Sequence, residues 1–313
     1  MLADPARYYK GGKPDLQLFD KKLYEVNPDD KVAIARAAAE EVLGKDERII
    51  SVDSSYSDGE GSSYRLISNG FEGESKSTWF SVSASVSIKG EGEARPQDYW
   101  YDSALFYDKL TKTGIGAKAL ERVLRKLGQK KAKSGKYTMV VDPMNVGNLL
   151  SPMLSALYGS ALQQKNSFLM DKLDTKVASD LFTLRDEPHA IGANGSRYFD
   201  NEGVATEPRT VFDKGVLKTY FIDTYNGKKM DIAPTISAPS RLILTPGDKD
   251  LNGLVADIKQ GILVTGFNGG NSNSSTGDFS YGIEGFLIED GKLTQPVNEM
   301  NAVSYTHLRA HET

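Results

Sequence analysis

Between residues 25 and 133 the spacing of apolar positions changes twice. Asn27-Pro28-Asp29-Asp30 opens a stretch in which Val32, Ala35, Ala39, Val42 and Leu43 recur at helical intervals, and Gly44 closes it. A capping Asn, an early Pro and acids in the first turn predict a helix there. From Ile49 the period becomes two. Its clearest run is Trp79 to Ile88, where Phe80, Val82, Ala84, Val86 and Ile88 alternate with four serines, which predicts a strand with one buried and one wet face. The Gly/Ser/Glu-rich stretch at 57–63 and the Gly-Phe-Glu-Gly run at 70–73 read as turns between two or three antiparallel strands. Helical spacing returns from Ile115 to Lys133, ending in Arg125, Lys126, Lys130, Lys131 and Lys133. Such a basic run suits the negative pole of a helix end and reads as solvated. Helix, strands and helix make 25–133 a small α+β middle domain. Residues 1–24, without a clear period, read as a connecting segment.

Ser134-Gly135-Lys136 marks a boundary, and Tyr137 to Val141 reads as a short buried strand. A helix is expected across Val146–Leu162, weakened by Pro152 and Gly159. Beyond Thr183 the chain becomes β-rich. Val211–Leu217 and Leu287–Leu293 read as hairpins turning through Asp-Lys-Gly and Glu-Asp-Gly-Lys. Leu251, Leu254, Val255 and Ile258 predict a short helix closed by Gly261, followed by the strand Ile262-Leu263-Val264. The second domain, 137–301, is therefore a β-rich unit, and the fold class as a whole is α+β.

Composition narrows the chemistry. Among 313 residues, Lys+Arg total 38 against Asp+Glu 42, a net charge of −4 that argues against a broad nucleic-acid surface. No apolar run approaches the roughly 20 residues of a membrane-spanning helix, and the N-terminus lacks the apolar core of a signal peptide. If Met1 begins the natural chain, a cytoplasmic protein is expected. The absence of cysteine removes disulfides, thiolate zinc sites and cysteine nucleophiles together. The last eleven residues, 303–313, read as the translation of a sequencing-library adapter, which takes His307 and His311 with it and leaves His189 alone. One imidazole cannot assemble a zinc-peptidase site. There is no P-loop and no calcium-loop spacing. His189 follows Pro188 without a Gly-x-Ser-x-Gly elbow, so it reads as a structural loop histidine.

The most unusual segment is 266–278, read as a loop joining a buried strand to the strand Tyr281–Ile288. Apart from Phe267 it is built of small and polar residues. Glycine lets backbone approach closely, and clustered amides and hydroxyls offer donors. Its continuation through Gly282 and Gly285 suggests glycine-dependent packing rather than a tether. Asn268, Gly269, Gly270, Ser274, Ser275, Thr276 and Asp278 are the candidate ligand-contacting residues.

Phe199-Asp200-Asn201-Glu202-Gly203, Thr206, Arg209 and Asp213-Lys214-Gly215-Val216-Leu217 resemble a block of the TldD/PmbA family. So do Ser274 to Phe286, Gly291-Lys292 and Pro296 to Asn301, with Gly159-Ser160-Ala161, Lys165 to Leu169 and Glu187-Pro188-His189 in the same order. The resemblance implies a two-subunit cytosolic peptidase system acting on short or unfolded peptides. One subunit holds zinc on a His-Glu-x-x-x-His helix; the other, of the TldE/PmbA type, lacks the ligands. Here the corresponding helix reads Ser151-Pro152-Met153-Leu154-Ser155-Ala156, without His or Glu. The resemblance therefore implies a non-zinc subunit with no metal or cofactor of its own, whose partner is a zinc-bearing TldD-like chain. It also implies further sequence before residue 1 and after 301. The alternative is a metal-free peptide- or partner-binding module without a proteolytic role.

Overall fold

The computed structural model describes residues 1–304; His307, His311 and the rest of the adapter-like tail from 305 lie outside the described residues. Helix α1 (Pro28–Glu40) starts as expected, the Asn27 side chain accepting from Asp29 N–H at 2.9 Å. Its inner face differs from the expected stripe. Ala38 and Val42 are fully buried, whereas Val32 and Leu43 are 55% and 59% exposed. The reason is a close helix crossing through small residues. In α2 (Ile115–Leu124), a Cβ added at Gly116 would meet the Ala38 carbonyl oxygen at 1.9 Å. The Glu41 carboxylate accepts from the N–H groups of Gly114, Gly116 and Ala117, placing a negative charge on the positive end of α2.

Both helices lie on an antiparallel sheet of β1 (Ile49–Ile67), β2 (Phe71–Ile88) and β3 (Gln97–Ala104), in that order. The predicted alternation holds: Phe80, Val82, Ala84, Val86 and Ile88 are at most 1% exposed. The stretch 57–63 is not a turn. It runs through the middle of β1, Ser57 paired with Ser81 and Ser63 with Ser75. Gly59 serves the partner strand, because a Cβ there would lie 3.0 Å from the Trp79 indole that crosses it. The chain reverses only at 68–70, where Gly70 has φ +104°.

The second helix stops at Leu124, short of the expected Lys133, because the basic run is partly turned inward. Lys126 is 6% exposed and donates to the Gln97 carbonyl (2.8 Å) and to Glu284 Oε1 (2.7 Å), with Asp98 Oδ2 at 3.2 Å. Beside it Arg122 pairs with Asp98 (3.2 Å) and Asp142 (3.4 Å). Burial opposes the Arg122 charge, but the two carboxylates outweigh it and raise its pKa above the ordinary value.

Strand β4 (Thr138–Val141) follows. The single helix expected over 146–162 is two, α3 (Val146–Ser155) and α4 (Gly159–Gln163). The break falls where the Gly159 N–H bonds to the Phe221 carbonyl and its Cα sits against Ile222 and Asn226. Strands β5 (Leu184–Asp186), β6 (Arg209–Asp213), β7 (Val216–Leu217) and β8 (Leu242–Leu244) form a sheet in the order β7-β6-β5-β8, with α5 (Thr224–Met230) between β7 and β8. The short helix α6 (Leu251–Ala256) leads into β9 (Gln260–Ser272), β10 (Phe279–Glu289) and β11 (Lys292–Ser304), which with β4 give the order β11-β10-β9-β4. Both predicted hairpins are present; Lys214-Gly215 and Asp290-Gly291 all take positive φ, the twist that two-residue connections require. Residues 1–24, read as a connection, lie along both halves of the molecule. Ala3, Tyr8 and Leu16 are buried, Tyr8 bridges to Val204, and the Thr78 N–H donates to the Leu18 carbonyl.

Two substitutions test this packing. Lys126→Met would leave buried Asp98 and half-buried Glu284 without their shared cation and should cost about 3 kcal/mol in urea unfolding. Gly116→Ala drives a methyl into the Ala38 carbonyl, and should cost about 2–3 kcal/mol by the same measurement.

Candidate functional site

Helix α6 and the buried pair of β9 and β10 carry the candidate residues to one end of the C-terminal sheet. The expected 266–278 loop is mostly strand. Asn268, Gly269 and Gly270 belong to β9, with Gly270 opposite Tyr281 and Asn271 opposite Ser280; only 273–278 turns. Glycine makes this possible, as the sequence suggested. The register slips between Tyr281 and Ile283; Gly269 and Gly270 take φ +77° and +128°. A Cβ at Gly270 would strike the Ser280 carbonyl at 2.2 Å, and one at Gly282 the Asn268 carbonyl at 2.7 Å. No other residue tolerates both demands.

The turn itself is pinned. Asn273 Oδ1 accepts from the Ser275 N–H at 2.9 Å, and the Asn273 N–H donates to the Asp278 carbonyl at 2.8 Å. The Ser274 carbonyl accepts from the Phe168 N–H at 2.8 Å, the Ser275 hydroxyl donates to Asn166 Oδ1, and Gly277 lies under the Phe168 ring. Thr276 Oγ1 receives the Asp278 N–H at 3.4 Å. Asp278 turns inward: its Oδ1 is buried without a hydrogen-bond partner. The structure therefore separates the candidates. Asn268, Gly269 and Gly270 stand exposed along the strand, while Ser274, Ser275, Thr276 and Asp278 build its docked tip.

The edge of β9 is what the strand offers. β4 pairs only with Gly261–Val264; the Asn145 side chain then caps the Thr265 carbonyl at 2.8 Å. From 266 to 272 that side of β9 has no strand beside it among the described residues, and 268–272 are exposed. Three aromatics that sequence reading passed over line this end. Phe267 meets Tyr281 edge-on at 5.4 Å, and Tyr281 stacks on Phe279 at 5.4 Å. The Phe279-x-Tyr281-x-Ile283 alternation was the available signal.

His189 lies elsewhere. Its Nε2 is 3.0 Å from Thr206 Oγ1 and its ring lies against Tyr198 at 5.0 Å. The Thr206 hydroxyl proton goes to the Arg197 carbonyl at 2.5 Å, so Thr206 accepts from Nε2–H. Burial, then the Lys13 charge, lowers the His189 pKa and favours the neutral ring. Bonded to Thr206, this imidazole ties two loops together.

Helix α3 carries no His, Cys, Asp or Glu, and its Ser155 hydroxyl is spent on the Ser151 carbonyl at 2.9 Å. Among the described residues no three His, Cys, Asp or Glu side chains converge in a way that would hold a metal. Nor is any helix among them long and apolar enough to cross a membrane.

The chain is similar to several known proteins. The metalloprotease PmbA homologue of Haemophilus influenzae is 31% identical over 295 residues, covering 92% of this chain and 64% of its own length; the chain thus spans just under two thirds of that relative. A Bacteroides thetaiotaomicron crystal structure, solved under the description of a modulator of DNA gyrase, is 71% identical with a TM-score of 0.96, covering 97% of this chain and 70% of that one. TldE from Thermococcus kodakarensis shares the fold at 22% identity, with a TM-score of 0.78 over 97% of this chain and 71% of that one. Residues 21–127 match the PmbA/TldA metallopeptidase central domain and residues 134–306 the C-terminal domain, and the chain belongs to this PmbA/TldD family.

Proposed function

We propose that this chain is the TldE/PmbA-type subunit of a TldD/TldE-type metallopeptidase complex, cytoplasmic, and that it helps hold short or unfolded peptides while a TldD-like subunit supplies the zinc. The observation that carries this reading is the ligand-free α3 helix in a chain that otherwise keeps the family's C-terminal motifs. Zinc in such a complex polarises the scissile carbonyl and activates water; the residues of this chain bind and orient.

The open edge of β9 suits that task. An extended peptide pairs with the free backbone groups of 266–272, and such pairing asks for no particular side chains. Exposed Asn268, Gly269 and Gly270 leave room for it, and Phe267 and Tyr281 lie alongside. The pinned tip of Ser274, Ser275, Thr276 and Asp278 fixes the far end of the strand. With a net charge of −4, the chain acts in this reading without binding nucleic acid directly. A metal-free peptide-binding module without a proteolytic role would use the same edge, and differs only in needing no zinc-bearing partner.

Purified alone, the full natural protein should hold far less than one zinc per chain and cleave no peptide. Mixed with a His-Glu-x-x-x-His-bearing sister it should form a stable complex that does. Stoichiometric zinc and turnover in the isolated protein would reject the proposal. Gly269→Val places a β-branched residue at φ +77°. The resulting strain should weaken binding of a fluorescein-labelled unstructured decapeptide about tenfold, read by anisotropy, while leaving complex formation intact.

A further inference from the structure

Arg209, one of the motif residues singled out in the sequence, begins β6, and its side chain is only 13% exposed. A guanidinium carries several N–H donors in a rigid fork, and burial makes each unpaired one costly. Here most are unspent. Nε reaches the Glu207 carbonyl at 3.5 Å, and Nη2 stands 3.8 Å from Oε1 of the same residue. Among the described residues the guanidinium has no other partner.

Carboxylates lie close by, yet they are committed elsewhere. Asp186, directly opposite Arg209 on β5, accepts from the main-chain N–H groups of Ser240 and Arg241 at 2.8 to 3.2 Å. Asp200 accepts from those of Glu202, Val204 and Ser237 at 2.8 to 2.9 Å. Two neighbouring arginines brace the 235–240 loop instead. Arg7 donates to the Thr235 carbonyl, and Arg197 to Ser240 Oγ and the carbonyls of Ala238 and Pro239. Arg209 takes no share in that bracing. Burial lowers its pKa, against the charges of Glu207, Asp186 and Asp200 and together with that of Arg7. Across Asp200 a second group is unmatched: Ser237, whose N–H holds Asp200 Oδ2, has its Oγ buried without a hydrogen-bond partner. Unmet polar groups of this kind in a folded interior call for a ligand or solvent partner.

We infer that Arg209, with the Ser237 hydroxyl as a second donor, forms a binding site for a carboxylate, presented by the C-terminus of a short peptide or by a free carboxylic acid. The planar fork of a guanidinium matches a carboxylate in two parallel hydrogen bonds. Glu207 marks the approach: it is 77% exposed, and its carboxylate oxygen faces the guanidinium from the solvent side. The nearby charges of Asp186 and Asp200 favour a singly charged ligand over a phosphate dianion. With −4 overall, the chain does not gather anions by its general field, so uptake at this point reports local donors. The site needs neither zinc nor the β9 edge.

Isothermal titration calorimetry of the full natural protein with acetate, tri-alanine and tri-alanine amide tests it. Tri-alanine should bind at least about tenfold more tightly than its amide, which lacks the charge. Tri-alanine ahead of acetate assigns the site to peptide C-termini; acetate level with it or ahead assigns the site to free acids. Arg209→Lys keeps the charge and loses the fork, and should weaken binding of the acid about tenfold. Ser237→Ala removes a hydroxyl that the fold leaves unbonded, and should weaken it about threefold. Circular dichroism confirms that each variant is folded. Absence of binding by both acids at about 10 mM overturns the inference, as does indifference to either folded variant. Equal binding of tri-alanine and its amide overturns it too, while leaving the β9 edge in place, because backbone pairing does not distinguish acid from amide.

Discussion

The ammonium group of Lys126 ties together the two halves of this protein from a buried position between them. It reaches a backbone carbonyl and a carboxylate of β3 on one side and Glu284 of β10 on the other. Buried cations of this kind are costly to desolvate and are tolerated only when their surroundings are complete. Here completeness requires both halves at once, so the relative position of the helix-covered sheet and the C-terminal sheet is set by charge satisfaction as much as by apolar burial. Glu284 in turn lies against Gly266, where a Cβ would meet its Oε1 at 2.6 Å. The stretch of β9 without a strand on its outer side begins at that residue, so the ion cluster also marks where the open strand edge starts.

The second constraint is backbone. Between Gly266 and Gly285 the β9–β10 pair changes register twice, and its glycines stand where a side chain would collide with the opposite strand. A strand pair so irregular bends locally and twists strongly. The hairpin is thereby steered past the end of β4 and leaves 266–272 unpaired on its outer side. The same irregularity tucks the Asp278 carboxylate inward, where one oxygen finds no donor. The architecture thus separates a rigid, internally bonded tip from a strand segment whose hydrogen-bonding groups stay available.

Much of this was legible in the sequence, and the failures share a cause. The Trp79 to Ile88 alternation identified its strand because a sheet covered on one side imposes a strict period of two. Asn27 and Gly44 marked the ends of the first helix because capping chemistry is local. By contrast 57–63 looked like a turn, since glycine and serine usually signal one; the indole that crosses Gly59 arrives from a residue twenty positions away. Lys126 looked solvated because its partner Glu284 is 158 residues distant. The candidate segment was singled out by composition, but its structure was drawn too loosely. Asn268, Gly269 and Gly270 are strand, Asp278 points inward, and Phe267, Phe279 and Tyr281 were given no part in the site. Pairwise tertiary demands of this sort leave no local trace.

The long β1–β2 ribbon carries a further consequence for how the chain reaches its final form. Its many cross-strand pairs are all closed by one three-residue reversal at 68–70, so their loop-closure entropy is small. The parallel pairing of β4 with β9 instead joins residues more than a hundred positions apart. Topologies of the first kind assemble early and those of the second kind late. The ribbon and its two helices can thus serve as a template already in place when the C-terminal sheet condenses, with Lys126 waiting for the carboxylate that completes it.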